Sequence, residues 1–211
     1  SKQEYREVIR QVILFLEGKQ ELVLHELKRK MQAAVQQLQF EKAALFRDQI
    51  QAIERVIEGQ RIAIMAKGEQ DIIALAQDEG QAYIELFFIR NNKLVGRDHF
   101  IMEGTHDEKP EQIITSFVKQ YYASASFIPS VILLQYPVNE MTVLSEWLKQ
   151  RKGNSVKLQI PQRGAKKKLV NMVAENADKG LLLAKAKQVN LEVITSGLQE
   201  LKDRLSLPRI P

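Results

Sequence analysis

An α+β chain in two parts, an all-helical N-terminal hairpin followed by a mixed-sheet domain, is what the 211 residues predict. Three observations carry the prediction. Residues 2–60 contain no proline and only Gly18 and Gly59, in a background of Glu, Gln, Lys, Leu and Ala, all good helix formers. Past Gln60 the pattern changes to short β-branched and aromatic runs separated by turn residues. In the last half, apolar runs alternate with stretches of helical periodicity, which gives the order β-β-β-α-β-α-β-α.

Leu24, Leu27, Met31, Ala34 and Leu38 recur at spacings of three and four, and so do Ala43, Phe46, Ile50, Ile53 and Ile57. Two amphipathic helices therefore meet near Gln39 and Phe40. Neither can bury its stripe alone, so the expected arrangement is an antiparallel hairpin. The competing arrangement, one unbroken helix, arises because no proline or glycine marks the turn. The expected domains are residues 1–60 and 61–211. In the second, residues 72–76, 83–89 and 94–102 read as strands, joined at Asp78-Glu79-Gly80 and at Asn91-Asn92, the latter a hairpin signal. Pro110 suits a first helical position, and Ile113, Ile114, Phe117, Val118 and Tyr121 form one helical face. Residues 131–134 make an apolar run without alternation, as in a strand covered on both sides. Asn139 is the expected cap of a helix carrying Val143, Leu144, Trp147 and Leu148. A fifth strand over 156–160 ends at Pro161, and a final helical stretch runs from about Ala165 towards Leu207 with Gly180 as its candidate break. Three antiparallel strands followed by two crossovers is the order of ribonuclease H-like domains.

Composition removes whole classes of function. There is no cysteine, which excludes disulfide scaffolds, thiolate-held metals and thiol nucleophiles. The three histidines, His25, His99 and His106, are scattered, so no metal site and no cofactor is expected. No run approaches the roughly 20 apolar residues that span a bilayer, and the start shows no signal-peptide pattern. A cytoplasmic protein without a membrane partner is the expectation. Ser124, Ser126 and His106 lack a nucleophile-elbow sequence and an orienting acid, and no glycine-rich phosphate loop is present.

The hairpin reads Leu27-x3-Met31-x2-Ala34-x3-Leu38-Gln39-Phe40-Glu41-Lys42-Ala43-Ala44-x2-Arg47-Asp48-x-Ile50. It resembles the UVR motif of the bacterial nucleotide-excision-repair proteins UvrB and UvrC, a motif also found in some Clp-protease adaptors. Two further stretches are similar to the UvrC family: Leu86-Phe87-Phe88-Ile89-Arg90-Asn91-Asn92-Lys93-Leu94-Val95-Gly96, and Pro161-Gln162-Arg163-Gly164-Ala165-Lys166-Lys167-Lys168-Leu169 followed by Ala174-Glu175-Asn176-Ala177. Phe15-Leu16-Glu17-Gly18-Lys19 is similar to the family's lead-in to the hairpin. Family members also carry a GIY-YIG nuclease domain, a catalytic ribonuclease H-like domain and a helix-hairpin-helix pair, none of them matched here. The resemblance thus implies a central fragment that ends, at Leu207-Pro208-Arg209-Ile210-Pro211, where the active nuclease strand would begin.

What the resemblance implies for function is specific. The hairpin would dock on the C-terminal UVR hairpin of UvrB through Leu38, Phe40, Glu41, Ala44, Arg47 and Asp48. Phe40 would be the aromatic anchor unless it folds back on its own core, and the hairpin could also pair with a second copy of itself. The intact protein would incise DNA on both sides of a lesion. The other expectation is an adaptor of a Clp-type protease. A ribonuclease H-type nuclease needs carboxylates converging on metal ions. Residues 72–76 hold no acid, the fourth strand is followed by Gln135-Tyr136, and Glu111 stands only in the opening turn of its helix, so no catalytic residue is expected. Asp71, Asp78 and Glu79 read as solvated acids at strand ends or turns. From Lys149 to Lys187 there are eleven Lys and Arg against Glu175 and Asp178 alone. Within that segment Arg163, Lys166, Lys167 and Lys168 sit where a strand leads into a helix. They are the expected sequence-independent contacts to a DNA backbone.

Overall fold

The computed structural model describes residues 2–78 and 80–205. The chain divides into two compact units between Ile64 and Met65. Glu79 and the terminal residues from Leu207 to Pro211 lie outside the described residues.

The first unit consists of α1 (Lys2–Leu16), α2 (Gln20–Gln36) and α3 (Phe40–Met65). Gly18, at φ +79°, ends α1, and the Lys19 amide donates back to the Leu14 carbonyl at 2.9 Å. The α2–α3 pair is the expected hairpin, not one long helix. Val23, Leu24, Leu27 and Ile50 form its buried centre, with Met31, Phe46, Ile53, Ile57 and, from α1, Leu14 packed around them. Lys28 pairs with Glu54 at 3.1 Å and Arg61 with Glu21 at 3.7 Å, two cross-helix contacts with the same antiparallel register. A further ionic cluster ties α1 to α2: Arg10 meets Glu7 at 3.0 Å and Glu26 at 2.6 Å, and Lys30 meets both carboxylates. Hydrogen bonds from Arg10 and then Lys30 hold the Glu7 carboxyl down to about 2. Leu38, expected to extend the apolar stripe, instead lies past the end of α2. The chain reverses there, and the side chain is 73% exposed.

The second unit contains β1 (Gln70–Asp78), β2 (Gln81–Arg90), β3 (Lys93–Glu103), α4 (Pro110–Ser124), β4 (Val131–Leu134), α5 (Met141–Lys152), β5 (Lys157–Gln159) and α6 (Gly164–Leu205). The sheet order is β3-β2-β1-β4-β5, antiparallel across β3, β2 and β1 and parallel across β1, β4 and β5. This is the predicted ribonuclease H-like arrangement. Asn91 and Asn92, both at positive φ, form the tight β2–β3 turn. One sheet face, with Ile73, Leu75, Ile84, Leu86, Ile132 and Leu134, packs on Ile113, Ile114, Phe117, Val118 and Tyr122 of α4 and on Leu144 and Leu148 of α5. The other receives α6 through Ala76, Tyr83, Ala177 and Leu181. Central strands covered on both faces explain why β1 is buried from Gln70 through Ala76.

Four expectations are corrected. Asn139 does not cap α5: its amide donates to Thr115 Oγ1 at 2.9 Å, and Glu140, in the left-handed region, precedes the helix. Val143, expected on the packed face of α5, is 64% exposed. Gly180 does not break α6, because it is needed for close packing: a Cβ there would stand 2.3 Å from Tyr83 Cε1. Asp71 is not a solvated strand-end acid. Strand β1 begins one residue before it, so Asp71 lies inside the ladder and is 1% exposed.

Candidate partner and nucleic-acid surfaces

The hairpin tip is built by a backbone motif. The Leu38 amide donates to the Val35 carbonyl at 2.9 Å and the Gln39 amide to Ala34 at 2.8 Å, with Leu38 itself at φ +58°. This is the helix-ending arrangement that usually employs glycine. A leucine there costs about 1 kcal/mol of backbone strain, and its side chain recovers nothing from burial. Phe40, the first residue of α3, is 63% exposed and is not among the described residues packed on the hairpin's core, so it does not fold back on that core. Glu41 lies exposed in the same first turn, Ala44 is half-buried, and Arg47 and Asp48 are exposed and paired with each other at 2.8 Å. Val35 and Leu45, which sequence periodicity does not single out, add exposed apolar surface on the last turn of α2 and the second turn of α3. Only their exposure reveals them, since their residue types match core positions.

In the second unit the basic segment separates into groups. Lys149, Arg151 and Lys152 occupy the last turn of α5, where cations complement the helix dipole. Lys152 donates to Ser130 Oγ at 2.9 Å and Lys149 meets Glu146 at 3.3 Å. Lys185 is bound to Asp78, which is therefore a paired acid and not a merely solvated one. Arg163, Lys166, Lys167 and Lys168 remain together where β5 leads into α6. Lys166 donates to Gln159 Oε1 at 2.6 Å, Lys167 is half-buried, and Arg163 and Lys168 are exposed. No acidic residue stands in the first turn of α6. Cations at a helix N-terminus oppose the dipole, and an anion placed there would satisfy both the side chains and the end amides.

The acids of the sheet serve other ends. The Tyr122 hydroxyl donates to Asp71 Oδ2 at 2.7 Å and Arg90 to Oδ1 at 2.7 Å, while the Arg90 guanidinium lies 4.3 Å from the centre of the Phe127 ring. Burial pushes the Asp71 carboxyl upward, against the pull of Tyr122 and Arg90, and raises the Tyr122 hydroxyl well above its usual range. Beyond β4, Gln135 accepts a hydrogen bond from the Leu75 amide at 2.8 Å. Glu111 is in the first turn of α4, as expected. Among the described residues, no three His, Asp or Glu side chains stand close enough to hold a metal ion together.

A helical hairpin with an apolar tip, followed by a ribonuclease H-like domain with a basic strand-to-helix corner, defines the class of protein. Comparison with known families narrows it. Residues 21–56 match the UvrB/uvrC motif and residues 69–183 the UvrC Ribonuclease H-like domain. The whole chain is 42% identical to the UvrABC system protein C of Alkaliphilus oremlandii, 46% to that of Dehalococcoides mccartyi and 39% to that of Clostridioides difficile. The chain belongs to the UvrC family. It spans 34–35% of the length of these relatives.

Proposed function

We propose that this chain is the non-catalytic central part of a nucleotide-excision-repair nuclease subunit. Its hairpin docks on the C-terminal UVR hairpin of UvrB, and its ribonuclease H-like domain scaffolds the incision domains on damaged DNA. The observation that carries the reading is the hairpin tip. Within the matched UVR motif, Leu38 is held in a left-handed conformation with its side chain in water, and Phe40 is exposed beside it in sequence. An exposed aromatic on a rigid reversal suits a partner's pocket, where such anchors dominate binding energy. Glu41, Ala44, Arg47 and Asp48 supply the rim, and exposed ion pairs there tune pairing more than strength.

The non-catalytic assignment is supported by the fate of the sheet's polar side chains. Asp71 is committed to Tyr122 and Arg90, and an amide, Gln135, stands after the fourth strand. The DNA role is supported by Arg163, Lys166, Lys167 and Lys168 at the start of α6. The absence of an aromatic among them favours tracking of the phosphate backbone over base readout.

The test is a titration of the 211-residue chain against the isolated UvrB hairpin. Phe40→Ala is expected to weaken binding by tens-fold or more, roughly 2 kcal/mol, with the helical signal intact. An unchanged affinity would remove Phe40 from the interface, and no binding by the folded parent chain would overturn the docking role.

A further inference from the structure

Helix α1 is turned inside out. Its polar side faces its own unit, with Glu7 and Arg10 locked to Glu26 and Lys30 of α2. Its apolar stripe, Tyr5, Val8, Ile9, Val12, Ile13 and Leu16, faces away, with exposures of 41–78%. From α1, Leu14 is the residue that enters the hairpin core. A surface helix normally does the reverse, and a contiguous apolar stripe of this kind marks an interaction surface.

The stripe also carries information about its occupant. The positions 5, 8, 9, 12, 13 and 16 are symmetric about a point between residues 10 and 11. A copy of the same helix running antiparallel would therefore set Tyr5 against Leu16, Val8 against Ile13 and Ile9 against Val12, each contact occurring twice, as an isologous interface requires. Charge fits the same operation. Arg6 and Glu17 flank the stripe on one side, eleven residues or just over three whole helical turns apart, and both are exposed. Antiparallel pairing brings Arg6 of one copy beside Glu17 of the other, at both ends. Glu17 accepts Lys19 through Oε2 at 2.8 Å, and a carboxylate has acceptor sites for a second cation.

We propose that α1 is a homodimerisation helix, pairing antiparallel with α1 of a second copy about a two-fold axis near residues 10 and 11. A 15-residue helix is about 22 Å long, so the interface falls at the small end of the range, below about 1,200 Å² in total. Dissociation is accordingly expected at roughly 10–100 μM.

Sedimentation equilibrium of the 211-residue chain over a wide concentration range would show a monomer–dimer equilibrium. Val12→Asp, at a position already half exposed, raises its dissociation constant by about tenfold or more. Arg6→Glu and Glu17→Arg each weaken the dimer, and together in one chain they restore it. The chain has no cysteine, so a cross-link reports orientation cleanly. Tyr5→Cys mixed with Leu16→Cys forms a disulfide between the two variants, while neither does so alone, because like positions lie about 16 Å apart in the antiparallel pair. A chain that stays monomeric overturns the proposal. So does a dimer lost with Phe40→Ala but indifferent to Val12→Asp, which would place the contact at the hairpin tip. Disulfides formed by each single variant alone would show a parallel pair and overturn the stated geometry.

Discussion

Leu38 shows how a single residue can set local stability against a surface role. Its φ of +58° is one that glycine adopts without penalty, yet the position holds a leucine whose side chain is mostly exposed. Leu38→Gly is expected to stabilise the helical unit by about 0.5–1 kcal/mol, part of the relief being offset by a more flexible unfolded chain. Thermal melting followed by helical circular dichroism checks this, and a lower midpoint would mean that the side chain supports the fold after all. Asp71 is the opposite case, a charge committed to the interior. Removing it leaves Arg90 and the Tyr122 hydroxyl without their acceptor. Asp71→Ala should cost about 3–5 kcal/mol and Tyr122→Phe about 1–3 kcal/mol. The single tryptophan, Trp147, packs on the core of this unit, so its fluorescence during urea unfolding reports both effects.

Among the elements, α6 is the most instructive. Glycine in mid-helix ordinarily weakens it by about 1 kcal/mol relative to alanine, and that propensity is what made Gly180 a candidate break. Packing overrides it. Tyr83 lies between Gly180 of the helix and the His99 ring of β3, stacked 5.2 Å away at 7° between planes. Gly180→Ala should therefore destabilise the second unit by about 1–3 kcal/mol despite the gain in propensity, because the added methyl would push the ring out of its place against His99. An unchanged or higher urea midpoint would show that α6 can lift off the sheet at no cost. Helix α5 makes a similar point. The Thr115 hydroxyl takes the Asn139 amide, so the helix begins at Met141 without the cap that residue type promised.

At the scale of the whole molecule, net positive charge is less informative than where neighbours leave it uncompensated. The segment from Lys149 to Lys187 reads as one basic strip in sequence, but Lys149 and Lys185 already face carboxylates, whereas Lys152 and Lys166 donate to neutral acceptors that leave their charge in place. The cluster at the start of α6 is the part best placed for a polyanion. Changing Arg163, Lys166, Lys167 and Lys168 together to Ala should lower affinity for duplex DNA irrespective of sequence. It should also reduce the slope of log K against log salt by about one for each phosphate that these side chains neutralise. An identical slope in titrations at several salt concentrations would return these residues to the solvent.

Local sequence was enough for most of the architecture. The two helical stripes apart from Leu38, the Asn91-Asn92 turn, Pro110 at the start of α4 and the apolar run of β4 are all short-range patterns, and each appears where its spacing placed it. The motif residues of the hairpin and of the 86–96 and 161–177 stretches were likewise sufficient to indicate the family. What only the tertiary structure decided are the properties a residue acquires from neighbours distant in the chain. Asp71 became an interior partner of Tyr122, Gly180 became a seat for Tyr83, Thr115 displaced Asn139 as the group that receives a backbone amide, and α1 turned its apolar face outward to satisfy Glu7 and Arg10. Periodicity says which face of a helix is apolar. Which face is buried depends on the contacts available to both sides, and those exist only once the chain has folded.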